Sequence, residues 1–253
     1  MHPILVEFGF LNLKIFTYGL LVATGFFAGI LLAARWAKQD GLDQQKILDL
    51  CFYIAIASLV GARALYIIVE YRYFFANPLE VLKFWKGGLV FYGGLIGAVA
   101  MAWYYMRKHA LPVWQVADIL APSLAIGQAV GRWGCFFAGC CYGIRSDAPW
   151  AITFTDPKSL APLGIALHPT QVYLSINALI IFSVLVWLRK RKKFDGQIFW
   201  VYGILYSIGR FIIEFYRGDD RGVVFLSTSQ YIGIFVLGFS IFMLTRLRSQ
   251  KPA

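Results

Sequence analysis

Three arginines lie within apolar stretches of the chain, at Arg63, Arg132 and Arg210. A charged guanidinium inside a bilayer costs at least about 2.5–3.5 kcal/mol, so three of them favour a functional explanation. Arginine binds phosphate oxygens through two parallel hydrogen bonds and keeps its charge when water is removed. The three residues therefore predict a site for a phosphate group. The alternative is that each side chain snorkels to the membrane surface or pairs with a carboxylate.

Other polar side chains are expected near these arginines. Tyr206, Arg210 and Glu214 are spaced i, i+4 and i+8, so they share one helix face. Glu214 is therefore predicted to pair with Arg210 or to orient it. Tyr18 and Tyr92 fall near the same membrane boundary, where residence in an aromatic belt is the simpler interpretation.

Glycines near the arginines indicate close packing. Residues 131–143 read GRWGCFFAGCCYG and contain four glycines and three cysteines. The glycines are predicted to let the helix break or approach a neighbour, with freed backbone groups lining a polar cavity. Gly93 and Gly97 form a small-xxx-small spacing that allows close approach of a helix or a ligand. The cysteines are predicted to pack the cavity wall as small, soft hydrophobes.

The elements that position these residues are predicted to be membrane-spanning helices. The chain is 59% hydrophobic and 15% charged, whereas a soluble domain is about 45–50% apolar and about 25% charged. A bilayer core of about 30 Å needs about 20 apolar residues per helix. The sequence predicts one all-α integral membrane domain over 1–253. Its seven helices are expected near 15–34, 49–69, 88–106, 116–142, 170–188, 196–216 and 228–245, with an ordered periplasmic loop over 144–168.

The basic residues predict the orientation. Thirteen of them lie on one side of the predicted helices and seven on the other, and the richer side is cytoplasmic by the positive-inside rule. The cytoplasmic set is Arg35, Lys38, Lys46, Arg107, Lys108, residues 189–193, Arg246, Arg248 and Lys251; the outer set is Arg72, Lys83, Lys86, Arg145, Lys158, Arg217 and Arg221. The N-terminus is thus expected outside and the C-terminus inside. The net charge of +11 then reflects topology beside anionic lipids, with no nucleic-acid partner.

This orientation predicts the depth of the three arginines. Each lies roughly 13 to 16 residues beyond the cytoplasmic start of its helix, or about 20–24 Å at 1.5 Å per residue. All three are therefore expected in the outer third of the bilayer. The predicted ligand is an outer-leaflet phospholipid whose phosphate becomes a leaving group.

Four motifs together resemble the bacterial prolipoprotein diacylglyceryl transferase family. They are YGGLIG (92–97), GRWGCFFAGCCYG (131–143), HPTQVY (168–173) and YSIGRFIIEFYR (206–217), in that order. The resemblance spans nearly the whole chain. It implies transfer of diacylglyceryl from phosphatidylglycerol to the lipobox cysteine thiol of a prolipoprotein, with release of glycerol phosphate. It also implies an outer-face reaction at the bacterial inner membrane, and no cofactor is expected.

The resemblance and the residue chemistry together predict the site. Arg132, Arg210 and Tyr92 are expected to be catalytic. The expected substrate-binding residues are Tyr18, Arg63, Gly93, Gly94, Gly134, Gly139, Gly143, Tyr206 and Glu214. The family pattern has His at the position of Tyr92 and Asn-Phe-x-Asn-Gly-Glu at 135–140, where this chain has CFFAGC. The chain thus resembles a divergent branch in which the base has changed.

Two other classes of function remain open. Cys135, Cys140 and Cys141 form a cluster that a membrane thiol–disulfide oxidoreductase would use, and a disulfide among them is an alternative in an oxidising compartment. A non-catalytic phospholipid-binding or transporting protein would also need outer-leaflet arginines. No metal site is predicted, because the three histidines lie far apart in the topology and the clustered soft ligands number only three.

Three further polar residues are given structural roles. Thr170 is expected to cap the start of the fifth helix. His168 is expected to bond to backbone, and substrate contact is the alternative for it. Asp118 is predicted near the cytoplasmic end of its helix, remote from the arginine site.

Overall fold

The structure, a computed structural model, describes residues 2–8, 13–82, 87–218 and 225–249. These ranges contain eight α-helices. They are α1 (Thr17–Gln39), α2 (Gln44–Val69), α3 (Tyr71–Ala76), α4 (Phe91–Lys108), α5 (Val113–Ala138), α6 (Thr170–Arg189), α7 (Gln197–Glu214) and α8 (Thr228–Ser249). A 3-10 helix covers Pro78–Leu82. Four basic residues used to predict the orientation, Lys83, Lys86, Arg221 and Lys251, lie outside the described residues.

Five of the helices are long and apolar enough to cross a bilayer, namely α1, α2, α5, α6 and α8. The prediction of a helical, multi-pass membrane protein is therefore confirmed. The other two predicted segments are also helical, but α4 and α7 have only 18 residues each, or about 27 Å at 1.5 Å per residue. The count of seven spans and the orientation of the termini stay predictions.

Short strands accompany the helices and were not predicted. β1 (Ile4–Phe8) and β2 (Leu13–Phe16) form one antiparallel pair. β3 (Ile152–Thr153) and β4 (Ala166–Leu167) form another within the long loop 144–168. Phe154, Ala161 and Leu167 form a small buried core in that loop. The loop is thus ordered, as the sequence predicts, although the purely α class omits these strands.

The chain divides into two compact units. The first comprises 1–32 with 117–253, and the second comprises 33–116. The expectation of one domain over 1–253 stays a prediction.

Small residues hold α1 against α5 in the first unit. A Cβ atom at Gly25 would lie 2.6 Å from the carbonyl oxygen of Gly127, and one at Gly29 would lie 2.9 Å from that of Ser123. Backbones this close leave no room for a side chain, which explains glycine at both positions.

Asp118 of α5 fixes the start of α7. Its carboxylate accepts hydrogen bonds from the backbone N–H of Gly196 at 2.8 Å and of Phe199 at 2.9 Å. Lys192 lies 3.3 Å from Asp118 and 2.9 Å from Asp195. Burial opposes the charge of Lys192, but hydrogen bonds and charges of Asp195 and Asp118 raise the pKa of Lys192. The structural role predicted for Asp118 is confirmed.

We expect Asp118→Ala to lower the free energy of unfolding by about 3 kcal/mol, because it removes a charged acceptor and leaves buried donors without partners. The melting temperature in detergent measures this. Asp195→Ala is the matched control, because Asp195 pairs with the same lysine but is 45% exposed, and it should change stability by less than about 1 kcal/mol. Equal melting temperatures for the two variants would contradict the capping role.

Glycines also hold α2 against α4 in the second unit. A Cβ atom at Gly61 would collide with the carbonyl of Gly93, and one at Gly97 would collide with that of Ala57. Gly94 packs against Ser58, whose carbonyl would lie 3.1 Å from an added Cβ atom. The small-xxx-small spacing at Gly93 and Gly97 thus serves helix packing.

Candidate active site

A buried ion pair joins two predicted site residues on α7. A guanidinium nitrogen of Arg210 lies 2.9 Å from Glu214, and the two side chains are only 13% and 2% exposed. Ser227 donates a hydrogen bond of 2.8 Å to the other carboxylate oxygen of Glu214. Ser229 accepts a longer bond of 3.4 Å from Arg210. The predicted pairing of Arg210 with Glu214 is therefore confirmed.

The arginines near this pair retain unused hydrogen-bonding capacity. Nη1 of Arg210 is buried without a hydrogen-bond partner. Arg132, half-buried on α5, makes no hydrogen bond or ion pair with the part of the chain that the structure describes. The positive charges of Arg132 and Arg217 lie close enough to act on Arg210. The unused donors of Arg210 and Arg132 are suited to an anionic ligand.

Two residues near Arg210 and Tyr206 were not predicted as site residues. Arg217 was counted only as a loop charge, yet it follows Glu214 by less than one helical turn and its charge acts on Arg210. Tyr202 lies one turn before Tyr206, their rings stack at 5.8 Å, and its hydroxyl accepts a hydrogen bond from Gln128 at 2.8 Å. The i, i+4 spacing on α7 was the sequence signal for Tyr202.

The cysteine-bearing loop begins where α5 ends. Gly139 has a φ of 77°, and an added Cβ atom there would lie 3.0 Å from the backbone nitrogens of Leu160 and Ala161. Glycine adopts this left-handed backbone without strain and ends the helix. Helix α5 therefore stops at Ala138, four residues before the predicted end at 142.

Cys141 is held in an uncommon conformation. Its φ is 59°, in the left-handed region that side chains rarely adopt. Thr170 donates a hydrogen bond of 2.6 Å to the carbonyl of Cys141, and Gln171 donates one of 2.7 Å to that of Cys140. The predicted capping role of Thr170 is wrong, because its hydroxyl bonds to this loop and Pro169 occupies the cap position.

Three thiols meet in this loop. The sulfur atoms of Cys135, Cys140 and Cys141 all lie within 4.8 Å of one another. All four cysteines of the chain are free, and Cys51 lies in the second unit. The disulfide considered as an alternative is thus not formed in this structure.

The glycines of the motif serve close contacts with neighbouring segments. An added Cβ atom at Gly134 would lie 3.1 Å from the carbonyl oxygen of Tyr18, and one at Gly143 would lie 2.5 Å from that of His168 and 2.7 Å from that of Tyr216. Packing alone accounts for both glycines. Their predicted contact with substrate, like that of Gly139, stays a prediction.

An aromatic cluster lies beside Gly143. His168 Nδ1 shares a hydrogen bond of 2.9 Å with the hydroxyl of Tyr173, which also accepts one of 2.7 Å from Trp150. The rings of His168 and Tyr216 meet edge to face at 5.2 Å. The prediction that the side chain of His168 bonds to backbone is wrong, because its partner is the hydroxyl of Tyr173.

Arg63 has protein partners in the second unit. Its guanidinium donates to the backbone carbonyls of Glu80 at 2.5 Å, Gly87 at 2.8 Å, Val81 at 3.2 Å and Gly88 at 3.3 Å. These four bonds secure the segment that follows α3. These contacts favour a structural role for Arg63. Its contact with substrate stays a prediction.

We expect Arg63→Ala to lower the melting temperature by several degrees, because four carbonyls would lose hydrogen bonds that contribute about 0.5–1.5 kcal/mol each. The turnover of the folded fraction should change little. Arg72→Ala is the matched control, since exposed Arg72 bonds, among the residues that the structure describes, only to the neighbouring Tyr71 at 3.1 Å. A raised KM for phospholipid with an unchanged melting temperature would instead support substrate binding by Arg63.

Two predicted tyrosines are partly accessible. Tyr18 is 45% exposed and Tyr92 is 44% exposed. Tyr18 belongs to the first unit with Arg132, whose charge acts on it. Tyr92, Gly93 and Gly94 belong to the second unit with Arg63. The catalytic role of Tyr92 stays a prediction.

The fold and the site define a multi-pass helical membrane protein with a buried Arg210–Glu214 ion pair. The chain belongs to the prolipoprotein diacylglyceryl transferase family, which it matches over residues 3–246. It is similar to the phosphatidylglycerol–prolipoprotein diacylglyceryl transferase of Clostridium tetani, with 38% identity over 99% of this chain and 100% of the relative. The phosphatidylglycerol–prolipoprotein diacylglyceryl transferase 2 of Clostridium perfringens is 36% identical over 95% of this chain and 94% of the relative. The Finegoldia magna enzyme is 36% identical over 97% of this chain and 96% of the relative.

Proposed function

We propose that this protein transfers the diacylglyceryl group of phosphatidylglycerol to the cysteine thiol of a prolipoprotein lipobox and releases glycerol phosphate. Two relatives named as phosphatidylglycerol–prolipoprotein diacylglyceryl transferases align with this chain over 100% and 94% of their length. The single observation that carries the proposal is the unused guanidinium donor of Arg210, which is buried beside the ion pair of Arg210 with Glu214. Such donors match the phosphate of the lipid.

The reaction needs no nucleophile from the enzyme, because the acceptor thiol supplies one. Its sulfur attacks the glyceryl carbon that bears the phosphate, so a carbon–sulfur bond forms while the carbon–oxygen bond breaks. The thiol proton is released, and the electron pair leaves with glycerol phosphate. Arg132 and Arg210 neutralise the negative charge that grows on the phosphate, and preorganised charges of this kind are usually the largest catalytic contribution.

The remaining predicted residues complete this proposal. Glu214 holds Arg210 in place, and Tyr206 and Tyr18 flank the phosphate. Tyr92 relays the thiol proton or holds a lipid ester oxygen. Gly134, Gly139 and Gly143 let the backbone approach the substrate. Substrate contact by Arg63, Gly93 and Gly94 stays a prediction from the sequence.

The proposed membrane setting follows the distribution of charge. Seven helices cross the bacterial inner membrane, with the N-terminus outside and the C-terminus in the cytoplasm. The basic ends of α4, α6 and α8, each carrying Arg or Lys in its last turn, support this orientation. Arg132 and Arg210 then lie near the outer leaflet, where phosphatidylglycerol enters sideways with its acyl chains still in the bilayer.

A defined assay tests the function. Purified protein is mixed with labelled phosphatidylglycerol and a lipobox peptide, and the mass of the peptide is measured. We expect the mass of one diacylglyceryl group on the cysteine, and none on a peptide with serine in its place. Lipid binding without any product would indicate a binding or transport protein, and oxidation of the peptide thiol would indicate an oxidoreductase.

A further inference from the structure

The three clustered thiols lie close to the separation that a zinc ion requires. Zinc binds thiolate sulfur at about 2.3 Å in a tetrahedral arrangement, which places neighbouring sulfur atoms about 3.8 Å apart. The sulfur atoms of Cys135, Cys140 and Cys141 already lie within 4.8 Å of one another. Side-chain rotation alone could close the remaining gap.

The backbone that carries two of these thiols is fixed before any ion binds. Hydrogen bonds from Thr170 and Gln171 hold the carbonyls of Cys141 and Cys140. Cys141 keeps a φ of 59°, and uncommon backbone angles of this kind cluster at functional sites. The loop is therefore preorganised, as a metal site requires.

The surroundings favour an anionic metal centre. A zinc ion with three thiolates carries a net charge of −1. The charge of Arg132 acts on both Cys135 and Cys141, and the charge of Arg217 acts on Cys141. Cys135 is buried, whereas Cys140 and Cys141 are partly exposed, so part of the cluster is accessible to a ligand.

We propose that Cys135, Cys140 and Cys141 bind one zinc ion whose fourth ligand is the thiol of the acceptor cysteine. This inference rests on the proposed function. Three protein ligands with one open position are the usual arrangement of a catalytic zinc site. The substrate supplies the fourth soft ligand, which the chain itself lacks.

The ion activates the acceptor. Zinc deprotonates a coordinating thiol, and the proton passes to solvent. The thiolate sulfur then attacks the glyceryl carbon, forming the carbon–sulfur bond as the carbon–oxygen bond breaks. Glycerol phosphate leaves with the electron pair, while zinc keeps its charge and is not consumed.

Metal content gives the first test. Protein purified in detergent without chelator should contain about one zinc ion per chain by mass spectrometry. Cobalt exchanged into the site should give a sulfur-to-cobalt charge-transfer absorption. Cys135→Ser, Cys140→Ser and Cys141→Ser should each lose the ion and the absorption. Cys51→Ser is the matched control, because Cys51 is a buried thiol in the other unit, and it should retain both.

Chelation of the wild-type protein gives a second test that needs no variant. Removal of zinc should lower transfer about 10²-fold, the lower limit for assistance by proton transfer. Zinc should restore the activity and magnesium should not. Binding of phosphatidylglycerol should persist in the chelated protein, because Arg132 and Arg210 remain.

The outcomes separate this inference from the proposed function. Zinc bound at the thiols of a protein that makes no lipidated peptide would overturn the function and leave the site standing. Full transfer by the metal-free protein or by Cys141→Ser would overturn the zinc inference and leave the function standing. Copper in place of zinc, or a disulfide in the active purified protein, would also overturn it.

Discussion

Arg132→Ala is expected to lower transfer of diacylglyceryl to a lipobox peptide by about 10²-fold or more, the loss typical of one preorganised donor to a developing anion. Arg132 makes no hydrogen bond or ion pair with the residues that the structure describes. Its removal should therefore cost little stability while removing charge from the phosphate site. The mass of the peptide over time gives the rate, and the melting temperature checks the fold.

Arg132→Lys sharpens this prediction. Lysine keeps the positive charge but cannot form the two parallel hydrogen bonds of a guanidinium, so most of the activity should still be lost. Arg145→Ala is the matched control, because Arg145 is an exposed arginine in the adjoining loop and should keep near-native activity. Near-native transfer by folded Arg132→Ala would contradict the phosphate-site assignment.

Arg210→Ala is expected to lower both transfer and stability. Transfer should fall by about 10²-fold or more for the same electrostatic reason. Stability should fall by about 3–5 kcal/mol, because Glu214 would remain charged and buried after losing its ion pair with Arg210. Glu214→Gln should be milder for transfer, since Arg210 stays in the site.

A double variant separates the two effects of Arg210. Arg210→Ala with Glu214→Gln removes the unpaired charge, so the melting temperature should recover in part while transfer stays lost. Recovery of transfer along with stability would mean that Arg210 acts only through the fold. Equal melting temperatures for Arg210→Ala and wild type would contradict the buried ion pair.

Contacts within one helix could be predicted from the sequence. The pairing of Arg210 with Glu214 follows from their i, i+4 spacing. In the structure a guanidinium nitrogen of Arg210 lies 2.9 Å from a carboxylate oxygen of Glu214. The approximate positions of the helices follow equally from runs of apolar residues. Even here the end of α5 at Ala138 was missed, because the motif's glycines were predicted either to break the helix or to pack closely, and which glycine adopts the left-handed turn does not follow from the sequence.

Contacts between distant segments could not be predicted in this way. Thr170 has the residue type of a helix cap, but a carbonyl 29 residues away accepts its hydroxyl hydrogen bond. Arg63 was identified by its rarity in apolar sequence, yet its partners are backbone carbonyls 17 to 25 residues further along. The sequence also gave no sign of the positive φ at Cys141.

The central claim is that Arg132 stabilises the departing phosphate more strongly than the bound lipid. Interactions made only in the transition state lower kcat and kcat/KM equally when they are removed. The measurement is the pair kcat and KM for phosphatidylglycerol in wild type and Arg132→Ala, at saturating lipobox peptide. We predict that kcat falls by about 10²-fold or more while KM stays within a few-fold. A raised KM with an unchanged kcat would contradict the claim and reduce Arg132 to a lipid-binding residue.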